Sequence, residues 1–266
     1  TALAMGAFIG GIVVTHYGVE VAFIVDAITF LIGALILIPL AIPQEVNEDM
    51  KGPLFSTALS NIKRGFSRLI SEPRLKRIVF AKTTWNLAGG GLAAVFLVLA
   101  GSRMTPGEIA SGIGLFFMAR GIGTGIGPII ARKYLTDEKK WPALIGILVS
   151  TSGFFYLLIG LTLFENLYLT IGLVIIAHSA SGANWVLSTI LTQKWVEDEV
   201  RGRVFSIDML LMSVSFSFST FIAGWLLDNT DLSLKMGMIY FACAMMIFGI
   251  IFTMWRTEGK YQQRSS

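Results

Sequence analysis

Charge is scarce in this sequence. Of its 266 residues 54% are hydrophobic and only 14% are Asp, Glu, Lys or Arg, whereas a water-soluble domain is about a quarter charged. Too few polar side chains are present to coat a water-facing surface of this size. Cysteine is nearly absent. The lone Cys243 lies in an apolar run, has no partner for an internal disulfide and reads as a small hydrophobe. Histidine is scarce too: His16 and His178 are far apart in the chain, and no cluster with metal-ligand spacing contains either. No Gly-x-Gly-x-x-Gly follows a strand pattern, and no glycine run ends in Lys-Ser/Thr, so a nucleotide loop is not expected. No catalytic constellation is found. The chain is therefore read as a non-enzyme with no cofactor and no metal. A signal peptide is also missing: the chain opens at Thr1 and is apolar at once, which reads as an entry inside a helix with further helices expected upstream.

What the sequence has instead is long apolar runs. A helix needs about 20 apolar residues to cross a bilayer core, and barrel strands only about 10. The runs here are long and do not alternate polar with apolar, so helices are expected, since lipid demands that every backbone group be satisfied internally. The spans read as 1–15, 19–42, 78–100, 109–131, 141–164, 167–192, 204–227 and 233–255, an all-α polytopic bundle of about eight helices. All but four of the 21 Lys and Arg lie in the alternate connections 43–77, 132–140 and 193–203 and in the tail 256–266. The exceptions are Arg103 and Lys235 on the opposite side, and Lys82 and Arg120 within spans. The positive-inside rule makes the basic side cytoplasmic. The net charge of +4 then needs no nucleic-acid partner; basic residues beside a bilayer are an expected edge. The partners are lipid and a small molecule. Within 43–77, Phe55, Leu59, Ile62, Phe66 and Leu69 share one helical face, with Arg64 and Arg68 opposite. This reads as a helix lying on the membrane interface.

Phe8-Ile9-Gly10-Gly11-Ile12-Val13-Val14 is echoed by Phe221-Ile222-Ala223-Gly224-Trp225-Leu226-Leu227. Such an echo suits a protein built of two parallel halves. The stretch from Val196 to Ser206, containing Arg201-Gly202-Arg203-Val204 after an acidic run, has Ala183-Asn184-Trp185-Val186 and Gln193 upstream. It resembles the loop between the tenth and eleventh helices of the major facilitator superfamily. More narrowly, it resembles the branch with enterobactin exporters and macrolide efflux pumps. Gly6, Gly10, Gly11, Gly18 and the run Ala22 to Phe30, with Asp26 in it, resemble that branch's fifth and sixth helices. The resemblance implies helices five to twelve of twelve. Residues 1–42 would be the last two helices of an N-terminal bundle, 43–77 a cytoplasmic linker, 78–255 a six-helix C-terminal bundle and 256–266 a cytoplasmic tail. It implies a secondary transporter of a bacterial inner membrane that exports a drug- or siderophore-like molecule by alternating access, coupled to protons. The competing reading is a scaffold or receptor that kept the fold and lost transport.

Several polar residues fall inside spans. Arg120 is near the middle of its span, where a charge costs several kcal/mol. It either holds an anionic substrate group or coupling carboxylate, or ties helices structurally. Asp26 either exchanges protons during access or pins its helix by a hydrogen bond. Lys82 is close enough to the cytoplasmic end to snorkel. Asp208 either closes an inner gate with a loop arginine or is a helix-end carboxylate. His178, Ser181, Asn184, Ser188 and Thr192 form a polar stripe bordered by Trp185, and Thr83, Trp85 and Asn86 precede Gly89-Gly90-Gly91. These match the helices that line the cavity in the resembling family; the alternative is plain interhelical hydrogen bonding. Gly121, Gly123, Gly125 and Gly127, like Gly6 and Gly10, read as small-residue packing faces, and Ser213, Ser217, Thr220 and Gly224 share a further face.

Overall fold

The computed structural model describes residues 2–39, 54–105, 107–162 and 165–255. Thr1, the linker stretch 43–53, the end of the second expected span, the Phe55 side chain and the tail 256–266 lie outside the described residues. Among the described residues ten α-helices follow in order: α1 (Ala2–Tyr17), α2 (Val19–Leu37), α3 (Leu54–Ser71), α4 (Pro73–Gly91), α5 (Leu97–Met104), α6 (Ile109–Tyr134), α7 (Trp141–Thr162), α8 (Leu167–Trp195), α9 (Asp198–Asn229) and α10 (Leu234–Met254). A π turn, Leu92–Phe96, joins α4 to α5 as one span. No strand occurs among the described residues. Among the described residues seven helices are long and apolar enough to cross a membrane, and a shorter apolar helix, Met5–Tyr17, precedes them. The all-α polytopic bundle expected from the apolar runs is therefore the observed fold.

Local chemistry sets the helix ends. Glu72 is extended (φ −104°, ψ 102°) because the residue before a proline avoids the helical region, and Pro73 then opens α4 at its first position. Asn166 caps α8 by accepting from the Leu169 amide at 3.0 Å, and Ser233 caps α10 by accepting from Met236 at 3.2 Å. Two span starts differ from the sequence reading. α4 begins at Pro73 rather than at residue 78, and α9 at Asp198 rather than 204. Hydropathy finds only the apolar part of a span, and both helices project one or two polar turns beyond it. Asp198 and Glu199 suit the positive end of α9's dipole. Arg201, Gly202 and Arg203 are thus helical, not loop.

α6 lies between α1 and α8, α7 between α8 and α10, and α4 between α9 and α10. Lipid supplies no hydrophobic force between helices, so close approach of small residues carries the packing. A Cβ at Gly127 or Gly123 of α6 would strike the α8 backbone at Ser179 or Ile175, and one at Gly182 of α8 would strike Thr124 of α6. Gly121 is buried, whereas Gly125, Gly6 and Gly10 face open space; on α1 it is Gly11 that meets Ala110 and Gly114. The even-spaced stripe is therefore split by the helical turn into a packed and an open side. α2 has no buried residue and packs mainly on α1, with apolar side chains such as Phe23 and Leu31 exposed as lipid requires.

The segment expected to form an amphipathic helix is helical, as α3, but its apolar stripe divides. Leu59, Ile62 and Phe66 are exposed, while Leu69 is fully buried against Leu75, Val79 and Val204. Gly65 lets α3 approach the carbonyl of Arg203 on α9. Arg77, read as a linker cation, is 4% exposed and donates to the carbonyls of Phe252, at 2.7 and 3.1 Å, and Thr253, at 3.2 Å. It donates to carbonyls in the last turn of α10, where a helix ordinarily has acceptors to spare.

Candidate functional site

A cavity of about 450 Å³ opens between α4, α6, α8 and α9. α4 supplies Trp85 and Asn86, and α6 supplies Arg120 and Thr124. α8 supplies His178, Ser181, Gly182 and Trp185. α9 completes the wall with Met209, Met212, Ser213, Phe216 and Ser217. Helical periodicity brings these together: His178, Ser181, Gly182 and Trp185 recur at three- or four-residue steps, as do Met209, Met212, Ser213, Phe216 and Ser217.

Each polar wall residue has a definite setting. Arg120 holds its guanidinium 5.6 Å from the Phe117 ring centroid on its own helix, a cation–π contact. Among the described residues it makes no ion pair. His178 joins Tyr156 Oη through Nε2 at 2.7 Å, with the two rings edge to face. Ser181 meets Ser152 at 3.1 Å, tying α8 to α7. Asn86 donates to the Met212 carbonyl at 3.2 Å, tying α4 to α9. Trp85 and Trp185 meet edge to face at 6.5 Å, and Trp185 remains 38% exposed.

Beside this wall lies a buried ion pair. Lys82 of α4 and Asp208 of α9, 1% and 2% exposed, are directly bonded, and Lys82 Nζ sits 5.8 Å over the Trp185 ring. This corrects two expectations. Lys82 does not snorkel to the interface, and the partner of Asp208 is Lys82 rather than a loop arginine. Asp208 is more than two turns into the lengthened α9, away from Arg201. Arg201 instead pairs with Asp198 and donates to the Val196 carbonyl at 3.1 Å. Asp208 Oδ1 and both polar atoms of Asn184 are buried without a hydrogen-bond partner among the described residues.

Asn184, Ser188 and Thr192 are buried in the bundle, outside the cavity lining. Ser188 and Thr192 turn their hydroxyls back to their own helix's carbonyls at Trp185 and Ser188. Asp26 sits exposed on α2, away from the cavity. Arg201, Gly202 and Arg203 are near the α8–α9 junction, also away from it. There Arg68 of α3 grips Glu197 through Nε (3.1 Å) and Nη2 (2.8 and 3.0 Å). These bonds hold the Glu197 carboxyl below its ordinary range, with a backbone hydrogen bond adding to the effect, and raise Arg68 further. Met209, Met212 and Phe216 were not foreseen as cavity residues, because an apolar side chain facing a cavity is indistinguishable by hydropathy from one facing lipid. Ser213 and Ser217 carried the available signal, two hydroxyls one turn apart on an apolar helix.

The family model described as Major Facilitator Superfamily matches residues 110–265, more than half of the chain. The chain belongs to the major facilitator superfamily. No curated protein matches it. A major facilitator is a membrane transporter rather than an enzyme, and this one is an integral, multi-pass protein whose surroundings are the lipid bilayer and whose cargo is a small molecule. The cavity between α4, α6, α8 and α9 of this major facilitator has a volume of about 450 Å³ and a wall of mixed polar and aromatic side chains.

Proposed function

We propose that this major facilitator is a proton-driven exporter of a drug- or siderophore-like molecule. It would work by alternating access in a bacterial inner membrane, within the enterobactin-exporter and macrolide-efflux branch. α1 and α2 belong to one bundle and α4 to α10 to a second, six-span bundle; α3 and the tail lie on the cytoplasmic side. The observation that carries the reading is Arg120. A cation in the middle of a span is expensive. This one borders a cavity with hydroxyls, an imidazole and two indoles, and no described carboxylate neutralises it. Such a group is kept for what enters the cavity, and midplane binding between helices is how secondary transporters hold cargo.

The test is flux in proteoliposomes containing the native protein, with an imposed pH gradient and a panel of drugs and siderophores. Gradient-dependent efflux of at least one compound is expected. Arg120→Ala should abolish it while the protein stays folded and monodisperse. A panel that shows no flux with or without the gradient would sink the export reading and favour the scaffold. Undiminished flux in Arg120→Ala would remove that residue from the site.

A further inference from the structure

The charge balance of the cavity is one-sided. Arg120 is the one formally charged residue among the described lining. The neighbouring cation, Lys82, is neutralised by Asp208. Among the described residues no carboxylate answers Arg120, whose guanidinium lies near the face of Phe117. From the other helices, Trp85 and Trp185 form a corner of two indoles at 6.5 Å, and Trp185 keeps over a third of its surface open. The volume, about 450 Å³, lies in the range of drug-sized ligands, roughly 300–1,000 Å³.

We propose that this cavity selects an aromatic anion, its flat ring against the Trp85 and Trp185 corner and its carboxylate, or a comparable oxyanion, on Arg120. The proposal rests on the transporter reading of the same cavity and names its cargo class. Three physical terms favour an anion. A neutral ligand strips water from the guanidinium and returns little. A cationic ligand adds like-charge repulsion in a medium of low dielectric. A carboxylate returns a charge-assisted, planar pair of hydrogen bonds that guanidinium geometry suits. The aromatic part follows from the walls: indole faces favour stacked or edge-on rings, and the thioethers of Met209 and Met212 adapt to ring edges.

The test is binding without transport. The native protein in detergent is titrated with 4-bromobenzoate, 4-bromobenzamide and 4-bromobenzylamine, reading quenching of tryptophan fluorescence by the bromine. The benzoate should bind on the order of ten-fold more tightly than the amide, as expected for a hydrogen bond to a charged group, and the amine should bind more weakly than either. Arg120→Gln should erase the preference for the benzoate while leaving amide binding in place. Arg120→Lys should keep part of it, which separates loss of charge from loss of fold. Trp185→Phe should reduce the quenching amplitude. Equal affinity for the three probes, tighter binding of the amine, or a preference that survives Arg120→Gln would overturn the proposal. Equal affinity is also the outcome if a carboxylate elsewhere in the native protein already occupies Arg120. Charge-selective binding with no flux would leave the ligand class standing and fell the export reading. Drug flux with no charge selectivity would do the reverse.

Discussion

Lys82 and Asp208 carry a cost that only their mutual contact offsets. Both are almost fully buried, and a buried charge without its partner is strongly destabilising, by about 3–5 kcal/mol. Lys82→Leu or Asp208→Leu alone should therefore lower the melting temperature in detergent sharply. The double Leu variant should recover most of the loss, because it buries no charge. A double variant destabilised by the sum of the two single losses would mean that the two residues act separately. Neither the pair nor its burial was legible in the sequence. Lys82 is near a helix end, where a long side chain ordinarily reaches water, and Asp208 follows it by more than a hundred positions, so only the packing of α4 on α9 makes them neighbours. Arg120 was legible, since it stands alone in an apolar run. The stripe on α8 was half legible: periodicity put His178 and Asn184 on one face, but could not say that His178 borders the cavity while Asn184 is packed away from it.

At the scale of elements, the α6–α8 contact is a close one made through glycine, and it has an internal control. Pro128 lacks the amide that would bond the Thr124 carbonyl four residues back, and Gly182 of α8 comes directly against that residue. Gly127→Ala would drive a methyl group into the Ser179 backbone and should cost about 1–3 kcal/mol or more. Gly125→Ala meets nothing within 4 Å and should be neutral or stabilising by up to about 1 kcal/mol. Thermal melting of the two variants distinguishes a packed face from a merely glycine-rich one. The spacing showed that small residues recur, but which of them touch depends on where α8 sits.

α3 offers a second element-scale prediction. Its link to the α8–α9 junction is the Arg68–Glu197 pair, and Glu197 titrates below the ordinary carboxylate range. A depressed folded value means that the anchoring is fully present above the ordinary range and is lost as pH falls through the lowered one. Protection of the α3 amides from exchange, taken relative to the intrinsic rate at each pH, should thus be high near neutral pH and fall as acidification protonates Glu197. In Glu197→Gln protection should already be low near neutral pH. Protection in the wild-type that is independent of pH would show that contacts other than this pair, such as the burial of Leu69, hold α3 down.

At the scale of the whole molecule, the alternation of basic and non-basic connections predicts sidedness. With Cys243 replaced by Ser, Asp231→Cys between α9 and α10 should be labelled by an impermeant maleimide in intact cells, and Asn61→Cys on α3 only after the membrane is permeabilised. Labelling from the same face would mean that a span has been miscounted. The helical architecture was readable because lipid imposes one rule on every span: backbone groups must be satisfied within the segment. The neighbour relations among spans were not readable, because the apolar faces look alike to hydropathy and the choice among them is made by glycine placement and by single ties such as Asn86 to Met212.

Arg77, at the start of α4, clasps the final turn of α10. The first and last spans of the α4–α10 unit are therefore next-door neighbours, and the unit closes on itself like a ring. Its chain order then matters less than its contacts. A circularly permuted gene that enters between α6 and α7 and joins the residues after Trp255 to those before Pro73 through a short flexible linker should still yield a folded six-span body.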